Sequence, residues 1–213
     1  ASEIDGLGQN SFRIFDTTQN KNGGIYMKKL LALMMALMMA LSLAACGENG
    51  GNTESAPDAS APIASDITLV SKEANFTTLL VPSDFGEFYD KDGYAVAEGT
   101  NASIVVTPTI EPDIRIEDIT EDYMIDLIGG TYSNIEVLAF DNPVTIAGVD
   151  TVSFLFTGDG NTSGKNKTVC HLTLFFSIEG QDCEQQLIFT YDTGANTSLE
   201  AYITNIIESI SLE

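Results

Sequence analysis

Apolar positions along the 213 residues follow three kinds of spacing. The first is a continuous block, Leu30 to Ala45, built of Leu, Met and Ala with a single Ser and no charge, a composition with good helix propensity. The second is short alternating or β-branched runs bounded by Gly, Pro, Asn and Asp, which predict strands. They are "ANFTTLLV" (74–81, stopping at Pro82), "YAVAE" (94–98), "ASIVVTPTI" (102–110), "NIEVLAF" (134–140), "VTIAG" (144–148), "DTVSFLFTG" (150–158), "KTVCHLTLFFSI" (167–178) and "EQQLIFTYD" (184–192). "DKDG" (90–93) marks a turn, and "EGQD" (179–182) joins the last two runs into a long hairpin. The third is helical spacing. A helix beginning near Asp118 or Thr120 places Ile119, Tyr123, Met124, Leu127 and Ile128 on one broad face and stops at Gly129-Gly130. A second helix opens with the capping box Thr197/Glu200 and carries Leu199, Tyr202, Ile203, Ile206, Ile207 and Ile210 on one stripe. Its polar face has no Lys or Arg, so it is expected to pack on the sheet and not on a membrane.

The apolar block is too short for a spanning helix, which needs about 18 residues or more, and sits just above the core of a signal peptide. Lys28 and Lys29 precede it, and Leu43-Ala44-Ala45-Cys46 closes it. That order resembles the export signal and lipobox of bacterial lipoproteins at all four lipobox positions. The resemblance implies cleavage between Ala45 and Cys46 and a diacylglyceryl group on the Cys46 sulfur. Two acyl chains then give stable anchoring where one would be marginal. Whether lipidated or left as an uncleaved anchor, the segment places the remainder on the outer face of the cytoplasmic membrane.

Residues 27–45 are thus expected to be a lipoprotein signal peptide, and 46–65 the lipidated cysteine and a linker. "GENGGNTESAPDASAPIAS" (47–65) has only Ile63 as a large apolar residue and cannot bury enough surface to offset its ordering entropy. A flexible chain of that length spans roughly 25 Å. Residues 1–26 have neither apolar period nor signal character. Gly23-Gly24, separated from Met27 by the two codons of Ile25 and Tyr26, fit a ribosome-binding site, so 1–26 are expected to be untranslated leader or a non-native extension.

Residues 66–213 remain as one α+β domain: an antiparallel sheet of about six to seven strands flanked by two helices. Three strands, a helix, a meander ending in a long hairpin and a closing amphipathic helix resemble the PsbP-like fold, which includes DcrB-type bacterial lipoproteins. The matching pieces are Val81-Pro82-Ser83-Asp84-Phe85, the "VTIAGVDTVSFLF" stretch with Gly148 between strands, and the closing "IIESI". Phe85 stands where that family often has Trp. Most such relatives are binding or assembly modules without catalysis, so the resemblance implies a class of role and no ligand.

Charge narrows the partners. Of nine basic and 31 acidic residues, four basic and three acidic precede Cys46, which leaves five and 28 after it. Such a surface repels phosphate backbones and anionic head groups, and nucleic acid is not an expected partner. Candidate chemistry is sparse. His171, the sole histidine, is expected on the solvent face of its strand, opposite in phase to Cys170, Leu172, Leu174 and Phe176. Adjacent strand residues point to opposite faces, so Cys170 and His171 cannot act as nucleophile and base. Cys170 faces roughly Thr190 across the hairpin, which puts Cys183 about 23 Å away, too far for a bridge. Two unpaired thiols are expected.

Asp90 and Asp92 before Gly93 resemble the opening of a calcium loop, but the later ligands are missing and Asn101 stands where the bidentate Glu would be. "GDGNTSGK" (158–165) lacks phosphate-loop spacing and reads as a hairpin loop. No catalytic residue, cofactor or confident metal site is expected. The leading expectation is a lipid-anchored, non-catalytic envelope module that binds a protein, a wall component or a small ligand. The alternatives are an envelope enzyme or accessory using carboxylates of raised pKa, and a calcium-responsive surface domain.

Overall fold

The computed structural model describes residues 66–213, all within one compact unit. The residues expected to form the lipobox, the signal peptide, the linker and the leader lie outside the described residues. Ten strands and two α-helices occur in the order β1 (Leu69–Ala74), β2 (Thr77–Pro82), β3 (Tyr89–Lys91), β4 (Tyr94–Gly99), β5 (Ala102–Val106), α1 (Glu121–Ile128), β6 (Tyr132–Ile146), β7 (Val149–Gly160), β8 (Asn166–Ile178), β9 (Gln181–Asp192), α2 (Ser198–Glu208) and β10 (Ser211–Leu212). Strands β3-β4-β5-β9-β8-β7-β6 form a seven-stranded sheet, and β1-β2-β10 a separate three-stranded one. Every pairing is antiparallel. This is the expected α+β architecture, a large antiparallel sheet with two helices.

Several elements differ from the sequence reading, each for a local reason. "ANFTTLLV" is not one strand: Asn75 adopts φ 54°, the chain reverses there, and Ala74 pairs with Thr77. Strand β2 therefore belongs to the small sheet, not to a three-stranded start of the large one. "NIEVLAF" and the Val144–Ile146 part of "VTIAG" belong to one 15-residue strand. Pro143 contributes no N–H, and β6 absorbs it with a register shift between Asp141 and Val144 rather than ending.

Tight turns set the large sheet's register. Asp92-Gly93 (φ 56° and 87°), Ala147-Gly148 (54° and 81°) and Glu179-Gly180 (54° and 84°) each place two left-handed residues between strands, the twist that matches a two-residue hairpin. The Glu179-Gly180 turn aligns Cys170 with Phe189, one residue from the expected Thr190, and Cys183 with Phe176.

Alternation sends the two faces of the large sheet into two cores. Ala97, Ile104, Val106, Cys170, Leu172, Leu174, Leu187 and Phe189 point to one side, where Leu199, Ile203 and Ile206 of α2 and Leu79 and Val81 of β2 cover them. Thr197 caps α2 as expected, its hydroxyl accepting from the Glu200 N–H at 3.1 Å. The Ser198 hydroxyl donates to the Asp84 carboxylate at 2.8 Å, which ties the Val81–Phe85 corner to the helix. On the opposite face Val152, Phe154, Phe156 and Val169 meet Met124 and Ile128 of α1. Thr120 caps that helix, accepting from the Tyr123 N–H at 3.2 Å. Of the five residues of the expected helical face, Ile119, Met124 and Ile128 are buried, while Tyr123 and Leu127 are exposed.

Candidate functional site

Helix α1 has eight residues, about 12 Å of length and 10 Å of width. Seven strands at about 4.8 Å spacing make a surface near 29 Å across. One short helix cannot roof that surface. It covers the β6-β7-β8 end, and beside it the β4-β5-β9 side of the same face opens into a cleft of about 640 Å³. This lies within the range of small-ligand sites. Sixteen residues line it, and none is Asp, Glu, Lys or Arg. Ten are apolar or aromatic, among them Val105, Ile188, Leu127 and Phe156. Tyr94, Ile110 and Leu127, three of the seven large hydrophobic side chains exposed among the described residues, form part of its lining. Exposed apolar groups concentrated beside one cavity are a mark of a binding surface.

His171 lines this cleft, and its position corrects the sequence reading. The residue is 4% exposed, not solvent-facing. The phase is as expected, with Cys170 on the opposite core face, but both faces of β8 are covered. On its own face His171 lies between Phe154 of β7 and Ile188 of β9. Burial pushes its pKa down to about 4, against a smaller upward effect of the hydrogen bond to Gln186. The imidazole is therefore neutral near pH 7.

A chain of contacts fixes the ring's tautomer. Gln186 donates through Nε2 to Glu184 Oε1 at 3.4 Å, which turns its amide oxygen toward the ring, 3.2 Å from His171 Nε2. Nε2 then carries the proton and donates it, and Nδ1 is left as a lone pair. No described residue hydrogen-bonds Nδ1. Thr107, also in the lining, is committed elsewhere. It accepts from the Gln186 N–H at 2.9 Å and donates to the Pro108 carbonyl at 3.1 Å. Ser103 and Thr190 stand directly opposite each other on β5 and β9, adding uncharged hydroxyls to the same lining.

Two other depressions are less developed. One of about 730 Å³ passes Phe76, Phe176 and Ile210. One of about 490 Å³ is rimmed by Glu111, Asp113, Asp150 and Asp182. Neither has a buried polar side chain in its lining.

The remaining candidates fall apart in space or into structural roles. Cys170 and Cys183 are free. Cys170 is buried, which pushes its thiol up to about 12, while Cys183 is half-buried and donates to the Gln181 carbonyl. Asp90 lies on β3 and Asp92 in the turn after it. The Asp90 carboxylate faces the Gly93 N–H at 3.5 Å, as turn chemistry requires. Among the described residues no group of three or more His, Cys, Asp or Glu side chains is placed to hold a metal ion. Asp159, the acid of the 158–165 loop, is held below the usual carboxylate range by the amides of Asn134 and Asn166, joining the ends of β6, β7 and β8. The carboxyls pushed up by burial, Asp141, Glu184 and Glu200, sit on β6, β9 and α2.

The role of Gln186 in setting the tautomer is not legible in the sequence. The neighbours of a strand residue are set by register across a hairpin. Gln186 pairs with Thr173 and so stands diagonal to His171, whose own partner is Ile188.

No family model matches the chain, and no curated protein matches it in sequence. Solved structures resemble it in shape. LpqN of Mycobacterium tuberculosis, described as involved in cell envelope biogenesis, superposes with a TM-score of 0.52 at 15% identity, over 69% of this chain and 91% of LpqN. The Ran-binding protein Mog1p of Saccharomyces cerevisiae gives 0.43 at 16% identity, over 68% and 96%. At such identities the likeness to LpqN shows a shared fold and nothing further.

Proposed function

We propose that this chain is a lipid-anchored, extracytoplasmic binding module of a bacterial envelope, and that its ligand occupies the cleft between α1 and the β4-β5-β9 side of the large sheet. The observation that carries the reading is that cleft: about 640 Å³, lined by sixteen uncharged residues, with a buried neutral histidine among them. The export signal and the Leu43–Cys46 lipobox support the anchor. The shared fold with a protein described as acting in cell envelope biogenesis agrees with an envelope role.

The test has two arms. An alkyne-bearing palmitate analogue fed to expressing cells is expected to label the wild-type protein and not Cys46→Ala. An uncharged environment-sensitive fluorophore is expected to brighten and shift to the blue on binding the 66–213 domain, and to do neither with Ser103→Trp, whose indole fills the cleft. Label retained on Cys46→Ala removes the anchor. Equal fluorescence with both domains removes the cleft as the binding site.

A further inference from the structure

Resting on that reading, we infer that the cleft selects an uncharged, mainly apolar molecule that donates a hydroxyl proton to Nδ1 of His171. Three observations carry this. The lining holds no charged side chain, so a ligand ion would enter without a counter-charge, and burying an unpaired charge is far more costly than burying a hydroxyl. The domain's excess of acids further opposes anions. Glu184, Gln186 and His171 form a relay of fixed direction. The carboxylate takes the amide N–H, the amide oxygen takes the Nε2 proton, and the lone pair is left on Nδ1. His171 is 4% exposed and lines the cavity; its Nδ1 has no described protein partner and is not among the fully buried atoms left without one, so a donor from outside the protein can reach it. An alcohol supplies one. An ether or ester of the same shape offers only acceptors and faces the lone pair unfavourably.

The relay makes Gln186 a positioning residue and His171 the group that touches ligand. Water filling the site would satisfy Nδ1 equally well, so discrimination among ligands, not occupancy, is the measurement.

The 66–213 domain contains both cores and every strand pairing described above, and serves as the test protein. Four probes share one chain length: 1-octanol, heptyl methyl ether, octanoate and octylammonium, each titrated at pH 7 with displacement of the fluorophore as readout. Because His171 is the sole histidine, ¹⁵N-histidine labelling gives one ring to follow by NMR. Octanol is expected to bind about tenfold more tightly than the ether, the value of one hydrogen bond to a group otherwise left unpaired. It should move the Nδ1 resonance upfield as the lone pair gains a donor, and leave Nε2 nearly still. The two ions are expected to bind about a hundredfold more weakly than octanol. His171→Phe should erase the preference for alcohol over ether while keeping ether binding. If that variant does not fold, the ring resonances of the wild type decide alone. Equal affinity for alcohol and ether, an unmoved Nδ1, or an ion bound as tightly as octanol overturns the inference and leaves the cleft a binding site. If no probe displaces the fluorophore, the inference fails. If the fluorophore itself does not bind, the cleft reading falls with it.

Discussion

At the scale of single residues, His171 shows how far a strand pattern can be read. Its phase relative to Cys170 was legible, since strand neighbours alternate. Its burial was not, because nothing local announces that both faces of β8 are covered. That depends on α1 and the 107–119 segment arriving on one side and α2 on the other. The consequence is a titration. In the unfolded chain the ring has its ordinary pKa near 6.5, while in the fold burial pushes it down to about 4. Between those values the unfolded state takes up a proton that the native state refuses. The stability this group contributes is therefore complete above pH 6.5 and is lost as pH falls toward 4, by up to about 3 kcal/mol. The ¹⁵N shifts of the sole histidine should stay those of a neutral ring down to about pH 5. A midpoint near 6.5 would mean a solvent-facing ring. Gly99 offers a second residue-scale expectation. A Cβ there would stand 2.5 Å from the Phe85 ring, which is itself buried. Gly99→Ala should cost about 1–3 kcal/mol by overpacking, read as a lower urea midpoint at unchanged slope.

Among elements, the strands facing the two cores were legible because apolar alternation and turn residues agree, and α2 because its cap and stripe agree. The failures lie where one residue carries the information. Asn75 breaks a run of good strand formers by taking a left-handed conformation, and Pro143 fails to break β6 because a bulge accommodates it. The open side of the cleft was hidden for a further reason. The pattern of α1 gave a broad apolar face, and only the width of the sheet against a helix of eight residues decides how much of that face finds a partner. Ala147 makes this scale testable. It begins the β6–β7 turn at φ 54° and is exposed. Left-handed backbone costs alanine about 1–2 kcal/mol, whereas asparagine adopts it more readily. Ala147→Asn should therefore stabilise the domain by about 0.5–1 kcal/mol, seen as a higher melting temperature. No gain would mean that the turn relaxes away from its two left-handed residues.

For the whole molecule the decisive quantity is charge. From Cys46 onward 28 acidic residues face five basic ones, and four of those five are already in ion pairs: Lys72 with Glu87, Arg115 with Glu117 and Asp118, and Lys165 and Lys167 both with Asp192. Salt acts on both sets. It weakens the pairs, several of which are exposed and worth at most about 1 kcal/mol each. It also screens the self-repulsion of the unpaired acids, shrinking the Debye length from about 30 Å at 0.01 M to 10 Å at 0.1 M. With acids outnumbering bases more than fivefold, repulsion wins, and sodium chloride should raise the melting temperature steadily from 10 mM to 0.5 M. The same balance separates screening from specific cation binding. No described group of acids is arranged to hold an ion, and the Asp90 carboxylate faces its own turn. Calcium at matched ionic strength should therefore add no saturable increment beyond that of sodium. A calcium-specific rise that saturates in the millimolar range, and is lost in Asp90→Asn with Asp92→Asn, would establish a cation site that the acidic surface alone does not provide.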